Sequence, residues 1–249
     1  MRIAAAKLAL APLLLWQGRR VRAQALRLPE AAGPREGRVG EGDTALRLLV
    51  VGDSSAAGVG ADTQQQALAG QLAQALAPRL ARAVDWHLLA RTGQTAVDAL
   101  AALEGQVLPA ADVAVVALGV NDVTGQVPPA RWLAALDRID GLLRERSGVR
   151  YVLHCAVPPM QSFPLLPQPL RWWMGAQALR LNARLARHLA GQPLRGLQAL
   201  PQAWQEPARA AALMAADGFH PNPAGYALWA EVLAEHLAAT RVTGLSQTR

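Results

Sequence analysis

The chain has one cysteine and one lysine in 249 residues. A lone Cys155 excludes an intrachain disulfide and any cysteine-rich metal site. It closes the apolar run Tyr151-Val-Leu-His-Cys-Ala-Val157 and reads as a small core residue. With Lys7 as the only lysine, no glycine-rich loop ends in the Gly-Lys pair that a P-loop needs. Aromatic residues make up only 4% of the sequence, so Ala, Leu and Val must fill the core that 52% apolar content implies. The apolar run Leu8 to Trp16 falls well short of the roughly 20 residues that a membrane-spanning helix needs.

Negative charge is also in deficit, leaving a net charge of +7. Of the 25 basic residues 24 are arginine, scattered except for Arg19-Arg20-Val-Arg22. Such Arg, Ala and Leu bias arises from genome base composition as readily as from a ligand. No basic helix or recognised binding module accompanies it, so nucleic acid is not an expected partner. Ala23-Gln-Ala25 resembles a signal-peptidase site, but the three arginines lie between it and the apolar run, where a secretory leader disfavours cations. A retained segment is the expectation, either packed on the domain or resting on anionic lipid through residues 1–22, with a cytoplasmic or peripheral location. A cleaved leader would instead make the protein secreted or periplasmic.

Residues 29–43, rich in Gly, Pro, Glu and Arg without apolar periodicity, read as a linker or surface loop. The division that follows is a segment 1–44, a domain 45–240 and a tail 241–249. Within the domain, apolar runs at 45–51, 83–90, 112–118 and 151–156, with a weaker one at 194–200, predict five strands. Helical spacing over 64–77, 95–103, 129–146, 170–190 and 223–239 alternates with them. Strands that are apolar on both faces predict a parallel sheet between two helical layers, a three-layer α/β/α sandwich.

In such sheets ligands bind beyond the carboxyl ends of the strands, and the chemistry-bearing residues fall there. Gly52-Asp53-Ser54 follows the first strand, Gly93 the second and Gly119-Val120-Asn121-Asp122 the third. Asp217-Gly218-Phe219-His220 precedes the last helix. Ser54 is a candidate nucleophile, and the glycines at 58 and 60 would let a substrate approach the backbone; Ser55 suits a capping role. Of five histidines, His87, His154, His188 and His236 lie within predicted strands or helices and read as structural or surface residues. His220 alone sits in a loop, with Asp217 three residues earlier able to curl back to its Nδ1–H. Gly93 would leave its N–H open to a ligand, and Asn121 offers a side-chain amide donor. Asp122 reads as a turn-holding residue. Each fragment alone also fits a plain cap or turn.

In this order the four blocks resemble those of the SGNH/GDSL hydrolase superfamily, over about residues 45 to 240. The resemblance implies a flavodoxin-like fold and serine esterase or lipase chemistry without metal or cofactor. It implies Ser54 as nucleophile, His220 as base and Asp217 as orienter, with Ser54, Gly93 and Asn121 as oxyanion donors. The expected substrate is a small-molecule or lipid ester of short or medium acyl length. An acyltransferase or thioesterase using the same triad, or a non-catalytic binding module of the same fold, are the alternatives. A Rossmann site is disfavoured because Gly58-Val-Gly60 is followed by Thr63, not glycine. The absence of Gly-x-Ser-x-Gly disfavours an ordinary α/β-hydrolase. The stretch 157–174, rich in proline and apolar residues, is read equally as an acyl pocket or lid and as a buried loop against the N-terminal segment.

Overall fold

The computed structural model describes residues 2–240, with side chains from residue 10 onward; the tail 241–249 lies outside the described residues. Six strands form one sheet: β1 (Glu36–Val39), β2 (Ala45–Gly52), β3 (Ala83–Ala90), β4 (Val113–Ala117), β5 (Tyr151–Cys155) and β6 (Arg195–Gln198). Their order is β1-β3-β2-β4-β5-β6, and every pairing except β1 with β3 is parallel. All residues of β4 and β5 are buried, as strands covered on both faces must be.

The helices are α1 (Arg2–Gln24), α2 (Leu68–Leu80), α3 (Ala96–Glu104), α4 (Val120–Thr124), α5 (Pro129–Ser147), α6 (Leu170–Leu189), α7 (Pro207–Ala212) and α8 (Pro223–Ala239). Helix α2 packs on α8, and α3 packs on α5, which also meets α6. Local chemistry sets several ends. Thr95 and Asp98 form a reciprocal capping box at the start of α3. Asn222 accepts from the Gly225 N–H at the start of α8, with Pro223 in the first helical position.

The sequence predicted five strands, and the sixth comes from the stretch read as a linker. Strand β1 runs antiparallel to β3 in the register Glu36↔His87 to Val39↔Val84. It lacks apolar alternation because it is an edge strand, held by the open ladder of β3 and by the Arg38–Asp85 and Glu36–His87 pairs. The residues before it are tied in as well. The Ala31 N–H donates to the Ala57 carbonyl, and the buried Gln64 amide donates to the carbonyls of both Ala31 and Ala57. Residues 31–39 thus brace the loop that follows β2.

Helix α1 packs against α6 along one side. Leu14 and Gln17 are buried, and the Gln17 amide donates to the Gln168 carbonyl and accepts from the Leu170 N–H. No helix among the described residues is long and apolar enough to cross a membrane. The five parallel strands have the 2-1-3-4-5 order of flavodoxin-like sheets, whose topological switch point lies beside the first parallel strand, here β2. The residues that leave β2 are therefore where a site belongs.

Candidate active site

Ser54 follows β2 two residues beyond its end and is nearly buried, at 8% exposure. Its Oγ lies 2.8 Å from His220 Nε2, although 166 residues separate them. His220 Nδ1 lies 2.6 Å from Asp217 Oδ2. The other Asp217 oxygen accepts from the backbone N–H groups of Phe219 at 2.9 Å and His220 at 3.0 Å. Burial alone would raise the Asp217 carboxyl, but the His220 ring and the two backbone donors outweigh it and hold it below the usual range. An ionised Asp217 is acceptor-only, so Nδ1 carries the proton and Nε2 is left to accept from the Ser54 hydroxyl.

The Ser54 and His220 loops are drawn together by a close backbone approach. Gly60 has φ +97°, and a Cβ there would lie 2.3 Å from the Pro221 carbonyl oxygen. The buried Tyr226 hydroxyl donates to the Val59 carbonyl at 2.7 Å and ties the same loop to α8. This glycine was expected to open the backbone to substrate. Its position instead serves contact between two loops of the protein.

Gly93 does face open space. Its φ is +85°, where a side chain would be strained, and nothing lies within 4 Å of where a Cβ would be. Among the described residues, the N–H groups of Ser54 and Gly93 donate to no protein acceptor. The Asn121 amide is engaged: it donates to the Gln94 carbonyl at 3.0 Å and to Asp53 Oδ2 at 3.3 Å. Asp122 caps α3 from α4, accepting from the Ala96 N–H, and so holds the Gly93 loop beside Asn121. Burial pushes the Asp122 carboxyl up to about 6.

Asp53 is the site residue that motif reading left without a role. Its Oδ1 accepts from the Ser55 N–H and hydroxyl, and its Oδ2 from Asn121, which joins the β2 and β4 loops. Burial raises its carboxyl despite those donors. The only signal in the sequence was its place next to Ser54. The other four histidines are bonded away from the site, His154 to Asp140, His188 to Asp137, His236 to Tyr151 and His87 to Glu36. Among the described residues, no group of three His, Cys, Asp or Glu gathers to hold a metal ion.

A small apolar cavity of about 30 Å³ opens beside Ser54 and His220, with Val120, Pro158, Phe163, Leu200, Trp204 and Phe219 in its wall. Phe163 and Phe219 meet edge to face at 5.0 Å between centroids. Stretch 157–174 contributes to two regions. Pro158 and Phe163 line the cavity, while Gln168 and Leu170 receive Gln17 of α1.

A sequence model described as the GDSL-like Lipase/Acylhydrolase family matches residues 50–228, which include all four blocks. The chain belongs to this family. A GDSL-like esterase of Mycobacterium tuberculosis is 28% identical over 196 residues, covering 76% of this chain and 60% of that protein. The chain thus spans about 60% of that relative's length. Among solved structures, a lipase/acylhydrolase from Enterococcus faecalis superposes with a TM-score of 0.52 at 20% identity, covering 78% of this chain and 96% of that one. A salicylyl-acyltransferase from a tetracycline biosynthetic pathway gives 0.56 at 19% identity, covering 84% of this chain and 58% of that one. At such identities these two likenesses establish the GDSL-type fold.

Proposed function

We propose that this GDSL family member hydrolyses carboxylic esters of short or medium acyl groups through an acyl-enzyme on Ser54. The unbroken contact from Ser54 Oγ through the His220 ring to Asp217 carries this reading. As Ser54 Oγ attacks the ester carbonyl, its proton passes to His220 Nε2, and Asp217 stabilises the imidazolium that forms. The unpaired N–H groups of Ser54 and Gly93, with the Asn121 amide, receive the oxyanion. Collapse of the tetrahedral species breaks the bond to the alcohol oxygen, which takes the proton from His220. Water then attacks the acyl carbonyl, returns its proton through His220, and releases the acid and free Ser54. An alcohol in place of water would make the same acyl-enzyme a transferase, and a thioester substrate would make it a thioesterase.

The substrate supply is a lipid surface reached through α1. Leu13, Leu15 and Trp16 are exposed on this helix, the latter two at 54%, and Arg20 stacks over Trp16 at 5.3 Å. Arg19 and Arg22 stand nearby, and α1 contains no acidic residue. Apolar and cationic side chains together suit an anionic interface.

The test is Ser54→Ala. The variant should match the wild-type melting temperature yet lose nearly all turnover of p-nitrophenyl butyrate, and a fluorophosphonate should label the wild type at Ser54 alone. Unchanged turnover in the variant would remove the nucleophile, and products lacking free acid would replace hydrolysis by transfer.

A further inference from the structure

Next to the cavity at Ser54 lies a second, open groove of about 460 Å³, between α6 and the ends of β5 and β6. Leu179, Ala183, Ala186 and Leu197 give it an apolar lining. Pro158 and Leu200 belong to both walls. They stand between the small cavity at Ser54 and the larger groove.

The two halves of the partition are held differently. Pro158 follows Val157, whose N–H and carbonyl are both paired with the Asn182 side chain at 2.8 Å. That double bond to α6 anchors the Pro158 side of the wall. Leu200 lies beyond the end of β6 and lines both spaces. It is 8% exposed, and its side chain has no polar atom that a hydrogen bond could fix.

From this geometry we infer that Leu200 sets the acyl length accepted at Ser54, by closing the small cavity off from the α6 groove. The inference rests on the hydrolase reading above, and it names a specificity residue that this reading does not use. With Leu200 in place, the methyl or ethyl end of a short acyl group fills the cavity, and a longer chain meets the wall. Shortening Leu200 joins the two spaces and lets the chain run on over Pro158 into the groove. Each methylene moved from water to an apolar surface contributes about fourfold. The four methylenes that separate octanoate from butyrate therefore set a ceiling of about 200-fold on the gain.

The experiment compares kcat/KM for p-nitrophenyl acetate, butyrate and octanoate in the wild type, Leu200→Ala, Leu200→Val and Leu200→Phe. A parallel series of acetates varies only the alcohol. Octanoate should be a weaker substrate than butyrate in the wild type, and its ratio to butyrate should rise at least about tenfold in Leu200→Ala and by less in Leu200→Val. Leu200→Phe should restrict the enzyme toward acetate. Leu200→Val and Leu200→Phe keep the test available should the alanine variant not fold. Labelling of Ser54 by methyl and octyl phosphonates, read by mass spectrometry, reports the same preference without turnover. An unchanged acyl profile in folded variants that turn over esters would overturn the partition, as would a change confined to the alcohol series. Absence of both turnover and label in the wild type would overturn the hydrolase reading itself, and the partition with it.

Discussion

Replacing Asp217 by asparagine exchanges one oxygen for an NH2 group and changes the shape of the side chain very little. The structure determines which way the amide must lie. Asp217 Oδ1 accepts two backbone N–H groups, from Phe219 and His220, at 2.9 and 3.0 Å. The amide oxygen of the variant takes that place, because the reverse orientation would set NH2 against two donors. Two lost bonds at about 1 kcal/mol each disfavour the reverse by about 30-fold, before any cost of the stranded donors. The NH2 therefore occupies the Oδ2 position, 2.6 Å from His220 Nδ1 in the wild type. Facing a donor, Nδ1 must become the acceptor, and the ring proton moves to Nε2. That tautomer cannot take the Ser54 proton, and the carboxylate charge that would stabilise the imidazolium is gone. The same exchange in a serine protease triad lowers kcat by about 10⁴, equivalent to about 5 kcal/mol of barrier. A loss of about 10³ to 10⁴ in kcat is expected here, with a KM within a few-fold of wild type. Because both loop bonds to Oδ1 survive, the melting temperature should move by only a few degrees. Steady-state hydrolysis of p-nitrophenyl butyrate between pH 6 and 9, beside a melting curve, reads both quantities. Activity within tenfold of wild type would refute the argument and require another carboxylate to orient His220.

Asp122 should make stability depend on pH in the direction opposite to a salt-bridged acid. Its folded value of about 6 lies above the unfolded value, so the folded state binds the extra proton and stability falls as pH rises from about 4 to about 6, by about 3 kcal/mol in all. Asp122→Asn keeps an acceptor for the Ala96 N–H, and should match wild type near pH 4 while melting higher at pH 7–8; superimposable pH profiles would exclude the effect. Asn121→Ala removes one oxyanion donor and should lower kcat by about 10² to 10³ with little change in KM, whereas a loss below threefold would leave the oxyanion to the two backbone N–H groups. The full chain should sediment with phosphatidylglycerol vesicles, and Arg19, Arg20 and Arg22 all changed to Gln should weaken this by about 100-fold, at about 1 kcal/mol per cation. Equal sedimentation of the two proteins would remove the lipid contact.

The elements whose stability is local were legible without a structure. The apolar runs that became β2 to β6 announce strands buried on both faces, and the helices between them follow from 3.6-residue spacing opened by start signals such as Thr95, Asn222 and Pro223. The motifs followed the strand ends for the same reason: tight glycine turns and short polar residues are punctuation that each segment carries by itself. Asp217 and His220, three residues apart in one loop, meet through local geometry. Strand β1 was not legible, because its four residues owe their conformation to the free ladder of β3 and not to any apolar pattern of their own. Nor was Asp53, whose bond to Asn121 exists only once β2 and β4 are neighbours. The 2.8 Å contact of Ser54 with His220 depends on the sheet order and on Gly60 admitting the Pro221 carbonyl, two conditions that no local window contains. The cavity beside Ser54 draws its wall from residues as far apart in the chain as Asp53, Val120, Pro158, Leu200 and Phe219, so its size was decided by packing alone.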